Sequence, residues 1–145
     1  MIRIAVIDGQ GGGIGSLIIR KIKESYAERV EVWALGTNAI ATSQMMKARA
    51  NRGATGENAI CHCVKQVDII LGSISILISN AMMGEVTSLM AEAVGTANAA
   101  KLLLPLTQEK VLVVGCDREP LPHLVDQLVN EHLNSYVTNR GVETE

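Results

Sequence analysis

The stretch IAVIDGQGGGIGSLIIRKI, Ile4 to Ile22, limits the fold more than any other part of this 145-residue chain. An apolar run stops at Asp8, five glycines fall within the seven residues Gly9 to Gly15, and a helical pattern begins at Ile14. Glycine tolerates positive φ and lets other atoms approach the backbone closely. A strand, a bare turn and a helix in that order open a β-α-β unit, which implies parallel strands with helices packed on them. Apolar residues make up 48% and aromatic residues 2%, with no Phe. The core must therefore be aliphatic, as suits parallel strands buried on both faces. The length suits one domain better than two.

The rest of the chain continues the alternation. Strands are predicted at Ile2 to Ile7, Val30 to Gly36, Val67 to Gly72, Lys101 to Leu106 and Lys110 to Gly115, with Pro105 ending or bending the fourth. Helices are predicted from Ile14 to Tyr26, from Ile40 to Ala50 behind a Thr37 or Asn38 cap, and from Glu57 to Val64 after a Thr55-Gly56 turn. A further helix runs from a Thr87 cap to near Gly95. The last one, EPLPHLVDQLVNEHL, starts at prolines and is amphipathic through Leu121, Leu124, Leu128 and Leu133. Ser73 to Asn80 reads equally as buried strand or buried helix. The expected architecture is a single α/β, Rossmann-like three-layer domain over residues 1–136, with a mostly parallel sheet of about five strands. Residues 137–145 read as a flexible polar tail.

Sheets of this kind bind ligands at the carboxyl ends of their strands. The first turn lies there, and the helix behind it adds free N–H groups and partial positive charge. Asp8, Gly9, Gln10, Gly11, Gly12, Gly13, Ile14, Gly15 and Ser16 are thus a candidate phosphate cradle. Gly36, Thr37 and Asn38 would lie near a sugar, and Gly72, Ser73 and Asn80 would form the other wall. A tight turn needs only a pair of glycines, so five favour a phosphate-bearing ligand. Asp8 repels an anion; it organises its own loop, or meets a ribose hydroxyl or a metal ion. The second strand ends in Gly36, Thr37 and Asn38, without the Asp or Glu that usually accepts from a ribose hydroxyl.

Other chemistry is thinner. Arg52, Thr55, Glu57 and Asn58 form a second polar loop, either a ligand contact or a self-stabilised turn. Cys61 and Cys63 are too closely spaced for a metal knuckle and no second ligand pair follows, so no metal site is expected. Met82, Met83 and Met90 suit a core or an oligomer interface. A net charge of −2 gives no reason to expect nucleic acid or a membrane surface, and Ile69 to Gly84 is too short and polar for a membrane span. The N-terminus enters a strand without a targeting pattern, and the odd cysteine count fits a reducing cytoplasm. The apolar stretch Ile74 to Val94 predicts a homodimer.

The spacing Gly9-x-x-x-Gly13-Ile14-Gly15 resembles the turn of short-chain dehydrogenases, and it is no Walker loop. No Tyr-x-x-x-Lys follows, since neither Tyr26 nor Tyr136 has Lys four residues later. Asn80 and Gly84 resemble positions of flavin-dependent cysteine decarboxylase-type flavoproteins, which implies FMN as an alternative to NAD(P). Together, IAVIDGQGGGIG, ALGTNAIAT, RGATGENAI, DIILG and NAMMGEVTSLMAEAVG resemble a family of small bacterial proteins described as domain of unknown function 3842. That resemblance covers most of the chain and implies a Rossmann-like, nucleotide-binding domain; it brings no activity with it. Three functions follow: a nucleotide-binding, sensing or accessory protein; an NAD(P)- or FMN-dependent oxidoreductase; or a ligand-free structural or oligomerisation module.

Overall fold

The aliphatic run at the N-terminus becomes β1, Ile2–Asp8, and the sheet is built outward from it in both directions. The computed structural model describes the backbone of residues 1–143 and the side chains of residues 1–138. β2 is Val30–Gly36, β3 Arg52–Thr55, β4 Ile69–Ser73 and β5 Ala100–Leu104, and all pair in parallel in the order β3-β2-β1-β4-β5. Ile2 lies opposite Val30 and Asp8 opposite Gly36, so β1 and β2 end level with one another.

Residue alternation along β1 feeds two cores. Ile2, Ile4 and Val6 pack with Ile18, Ile19 and Ile22 of α1, Gly13–Tyr26, and with Met45 of α2, Ala39–Lys47. Ala5 and Ile7 face the opposite side. They meet Ile60 of α3, Glu57–Cys63, and Met90 and Val94 of α4, Ser88–Thr96. The three-layer, Rossmann-like arrangement expected from the sequence is therefore present. The chain builds β2 and β3 on one side of β1, then crosses to build β4 and β5 on the other. The crevice between β1 and β4 is thus the switch point of the sheet.

Caps fall where the residue types demand them. Asn38 Oδ1 accepts from the Ala41 N–H to start α2, and Thr87 Oγ1 accepts from the Met90 N–H to start α4. The ambiguous segment after β4 is a 3₁₀ turn, Ile74–Leu77, followed by irregular chain.

Two strand expectations change. Lys110 to Gly115 is not a strand: the chain leaves the sheet at Leu104, and Leu112 and Val114 are exposed. β propensity creates no strand where no neighbour offers a ladder. The fifth strand is instead Arg52–Thr55, a short edge strand whose side chains are largely exposed, so it carries no apolar alternation to read.

The last helix is longer than expected. It runs as α5, Leu121–Asp126, a π-helical stretch, Gln127–Leu133, and α6, Asn134–Glu143. Residues expected as polar tail are therefore helical to Glu143, and 144–145 lie outside the described residues. The Tyr26 hydroxyl donates to the Val129 carbonyl at 2.7 Å and ties the π-helical stretch to α1. Among the described residues no helix is long and apolar enough to cross a membrane.

Leu133 is fully buried at the end of the π-helical stretch. Leu133→Ala should cost about 2–5 kcal/mol in urea unfolding; a loss below about 1 kcal/mol would mean that the C-terminal helix adds little to the core.

Candidate functional site

The five glycines of the first turn serve different ends. Gly12 has φ +73°, and a Cβ there would lie 2.8 Å from the Ala41 carbonyl oxygen, so only glycine fits against α2. At Gly9 a Cβ would meet Thr37 Oγ1 at 2.5 Å and Met82 Sδ at 2.6 Å; at Gly15 it would meet Met45 Sδ at 2.5 Å. These three glycines are fixed by packing. Gly11 and Gly13 are not: a Cβ on either meets nothing within 4 Å, and neither has positive φ. Their N–H groups make no hydrogen bond among the described residues.

Asp8 ends β1, and its carboxylate closes the turn. Oδ1 accepts from the Gly9 N–H at 2.8 Å and Oδ2 from the Gly15 N–H at 2.7 Å. This is the loop-organising role. Burial pushes the Asp8 carboxyl above its ordinary range, against the pull of the Gly15 and Gly9 N–H groups, and the charge of Glu85 pushes it further up. Ser16 is turned inward, its hydroxyl donating to the Gly12 carbonyl at 2.7 Å.

Glu85 arrives from the loop between β4 and α4. Its Oε1 accepts from the Gln10 N–H at 2.8 Å, the Thr37 hydroxyl at 2.7 Å and the Asn38 side-chain amide at 2.8 Å. A carboxylate therefore stands at the end of β2 after all, delivered from a distant segment. Burial works against its charge, but the three hydrogen bonds together outweigh burial and hold its carboxyl below the usual range.

A cavity of about 540 Å³ opens at the switch point, within the range of roughly 300–1,000 Å³ usual for small-molecule sites. Asp8, Gln10 and Ile14 line it from the first turn, Ser73 and Ser75 from the end of β4, Asn80, Met82 and Met83 from the following loop, and Leu106 to Glu109 from beyond β5. Its walls are tied together. Ser75 donates to Thr107 Oγ1 at 2.7 Å, and Glu109 Oε1 accepts from the Met82 N–H at 3.2 Å. None of the described residues lining it is Lys, Arg or His, whereas Asp8 and Glu109 both are part of it.

Of the candidate residues, the structure brings Asp8, Gln10, Ile14, Ser73 and Asn80 to this cavity. Thr37 and Asn38 are not among its lining residues; they donate to Glu85, whose Oε1 also takes the N–H of the cavity-lining Gln10, while Gly36 and Gly72 are closed by Thr42 and by the Ile7 carbonyl. The second polar loop lies elsewhere. Arg52 pairs with Glu31 at 3.4 Å and stacks on Trp33, Thr55 donates to Thr42 at 2.7 Å, and Glu57 and Asn58 edge a separate hollow by α4. Burial, and for Cys61 also Glu57, raise the thiol pKa of Cys61 and Cys63, so neither is an activated thiolate. Met90 is core, Met82 lines the cavity and Met83 projects at its rim.

Sequence reasoning passed over Ser75, Glu85, Thr107 and Glu109. Glu85 lies in NAMMGEVTSLMAEAVG, one of the stretches that carry the family resemblance, but nothing local shows that it folds back to the end of β2.

The glycine assignments separate by experiment. Gly9→Ala should destabilise by about 1–3 kcal/mol, as overpacking does. Gly11→Ala and Gly13→Ala should be neutral, or stabilising by up to about 1 kcal/mol, all measured by urea unfolding. The depressed Glu85 carboxyl adds a pH signature. A group whose pKa falls on folding contributes stability above its unfolded value, lost as pH drops through the folded one. The stability gap between the wild type and Glu85→Ala should thus be full above the ordinary value of 4.5 and close below it; a gap flat down to acid unfolding would deny the interaction.

No curated protein matches this chain. Among solved structures it is similar to a dodecameric FMN-dependent Ubix-like decarboxylase from Escherichia coli O157:H7, at 12% identity and a TM-score of 0.44 over 94% of each chain. The family model for a domain of unknown function, DUF3842, matches residues 3–137. With nearly the whole domain covered, from the first strand to the last helix, the chain belongs to the DUF3842 family.

Proposed function

We propose that the protein binds a nucleotide across the crevice between β1 and β4 and acts as a binding, sensing or accessory protein. The observation that carries this reading is the pair Gly11 and Gly13: bare backbone that neither packing nor φ demands, with unclaimed N–H groups. They stand at the start of the 14-residue α1, next in sequence to Gln10 and Ile14, which line the cavity of about 540 Å³. N–H groups and the partial positive charge of a helix end favour a phosphate there.

The chemistry of the walls narrows the ligand. With no cation among the described lining residues, a triphosphate would lack a counter-charge, so the reading is a mononucleotide or dinucleotide with few phosphate groups. NAD and FMN both meet that description. Hydroxyl and amide groups of Ser73, Asn80, Thr107 and Gln108 suit a sugar or base edge. None of the described lining residues is a His that could activate Ser73 or Ser75, and this favours binding over nucleophilic catalysis.

A second reading has its own support. Glu85, Thr37 and Met82 fill the space over Gly9, as a ligand-free structural module would fill its turn. Thermal unfolding of the folded, ligand-free protein with NAD(H), NADP(H), FMN, FAD, ATP and GTP separates the two. A ligand at 100 times its Kd should add about 2.7 kcal/mol, a rise of several degrees in Tm. Gly11→Leu should abolish that rise without lowering the basal Tm. No rise with any of the six would leave the structural module as the better account.

A further inference from the structure

The end of β2 lacks a ribose carboxylate in sequence, yet a carboxylate stands there in space. All three hydrogen bonds to Glu85 converge on Oε1, from Gln10, Thr37 and Asn38. Oε2 accepts none among the described residues. One oxygen is anchored against Gly9 and Gln10 of the glycine turn, and the other is left as an acceptor among the described residues.

The backbone is arranged around this delivery. Asn80, Met82, Met83 and Gly84 all have positive φ, at 68°, 58°, 57° and 91°, and two of these, Met82 and Met83, carry side chains that rarely adopt it. The contorted loop is fixed by hydrogen bonds from the Asn80 N–H to the Val86 carbonyl and from the Val86 N–H to the Ala81 carbonyl. The absence of a Cβ at Gly9 gives the carboxylate its room, since one there would approach Oε1 to 3.0 Å. Strain of this kind persists where surrounding structure over-determines it, commonly at ligand sites.

We infer that Glu85 is the ribose acceptor of the site: Oε2 takes a hydrogen bond from the 2′-hydroxyl of a ribonucleotide and excludes ligands with a phosphate there. This rests on the nucleotide reading above. An anchored carboxylate is an acceptor only. It favours a hydroxyl that donates, leaves a 2′-deoxy sugar without a bond, and repels a 2′-phosphate by like charge.

Glu85→Gln is the sharp variant. Its amide oxygen can keep the three anchoring donors, while its NH₂ replaces the free acceptor with a donor. Calorimetric titration uses the four ribonucleoside 5′-diphosphates, their 2′-deoxy forms, adenosine 2′,5′-bisphosphate and inorganic phosphate, on both proteins, with Tm checking the fold. In the wild type the best ribonucleotide should bind about tenfold or more tightly than its 2′-deoxy form, and the bisphosphate should not bind. Glu85→Gln should reduce the ribo-to-deoxy preference to about threefold or less and admit the bisphosphate.

A preference that survives Glu85→Gln, or wild-type binding indifferent to the 2′ position, overturns the role of Glu85 and leaves the nucleotide reading standing. Glu85→Gln that tightens every probe, inorganic phosphate included, shows a plug instead of an acceptor. Wild-type protein that binds none of the probes, and shows no shift with the six ligands above, overturns both readings together.

Discussion

The carboxylate of Asp8 is the contact on which the upper end of the sheet depends. It ends the central strand and accepts N–H groups from both sides of the turn, Gly9 before it and Gly15 within α1. Hydrogen bonds to a charged acceptor are worth about 1.5–3 kcal/mol each, enough to hold a turn whose glycines resist ordering. The burial that strengthens these bonds also penalises the charge that makes them, which is why the Asp8 carboxyl is pushed upward. Had an external anion been needed to close the turn, the fold would depend on its ligand. With Asp8 in place, the turn is closed internally, and Gly11 and Gly13 keep N–H groups that make no hydrogen bond among the described residues.

Glu85 extends the same logic to the neighbouring strand. Three neutral donors from two separate segments, the first turn and the end of β2, converge on one oxygen. This joins β1 and β2 at their carboxyl ends through a residue that follows β4, and the same loop gives the cavity the wall made by Asn80, Met82 and Met83. Removing the acceptor would leave three donors to find water or rearrange, and the contorted backbone from Asn80 to Gly84 would lose the contact that gives it purpose.

What the sequence made legible is what local pattern encodes. β1, β2, β4, β5, the first four helices, the Asn38 and Thr87 caps and the position of the glycine turn follow from aliphatic runs, helical spacing and capping chemistry, and each was read within a few residues. β3 escaped because an edge strand with exposed side chains carries no hydrophobic signal. Lys110 to Gly115 misled for the opposite reason, a strong β pattern with no neighbouring strand to pair it. Tertiary context decides in both cases, and propensity alone does not contain it. Within the site, Asp8 and its turn could be marked from sequence, but Glu85 could not. Its partners lie 75, 48 and 47 residues away, and nothing local announces where a loop glutamate will land.

The electrostatics of the crevice then bear on what can occupy it. Asp8 and Glu109 line the cavity and Glu85 is bonded to the first turn, while among the described residues the opposing positive charge comes from backbone N–H groups and a helix end, worth about half an elementary charge. Half a charge cannot offset several phosphates in the presence of three carboxylates. A phosphate that does sit over Gly11 and Gly13 must be compensated elsewhere on the same ligand, through hydroxyl and amide donors that turn the surrounding carboxylates from repelling charges into acceptors. The site therefore asks for a molecule with many donors and little charge. On the proposed reading the sugar of a nucleotide would supply those donors, and an acid-rich rim would then accord with a glycine turn instead of contradicting it.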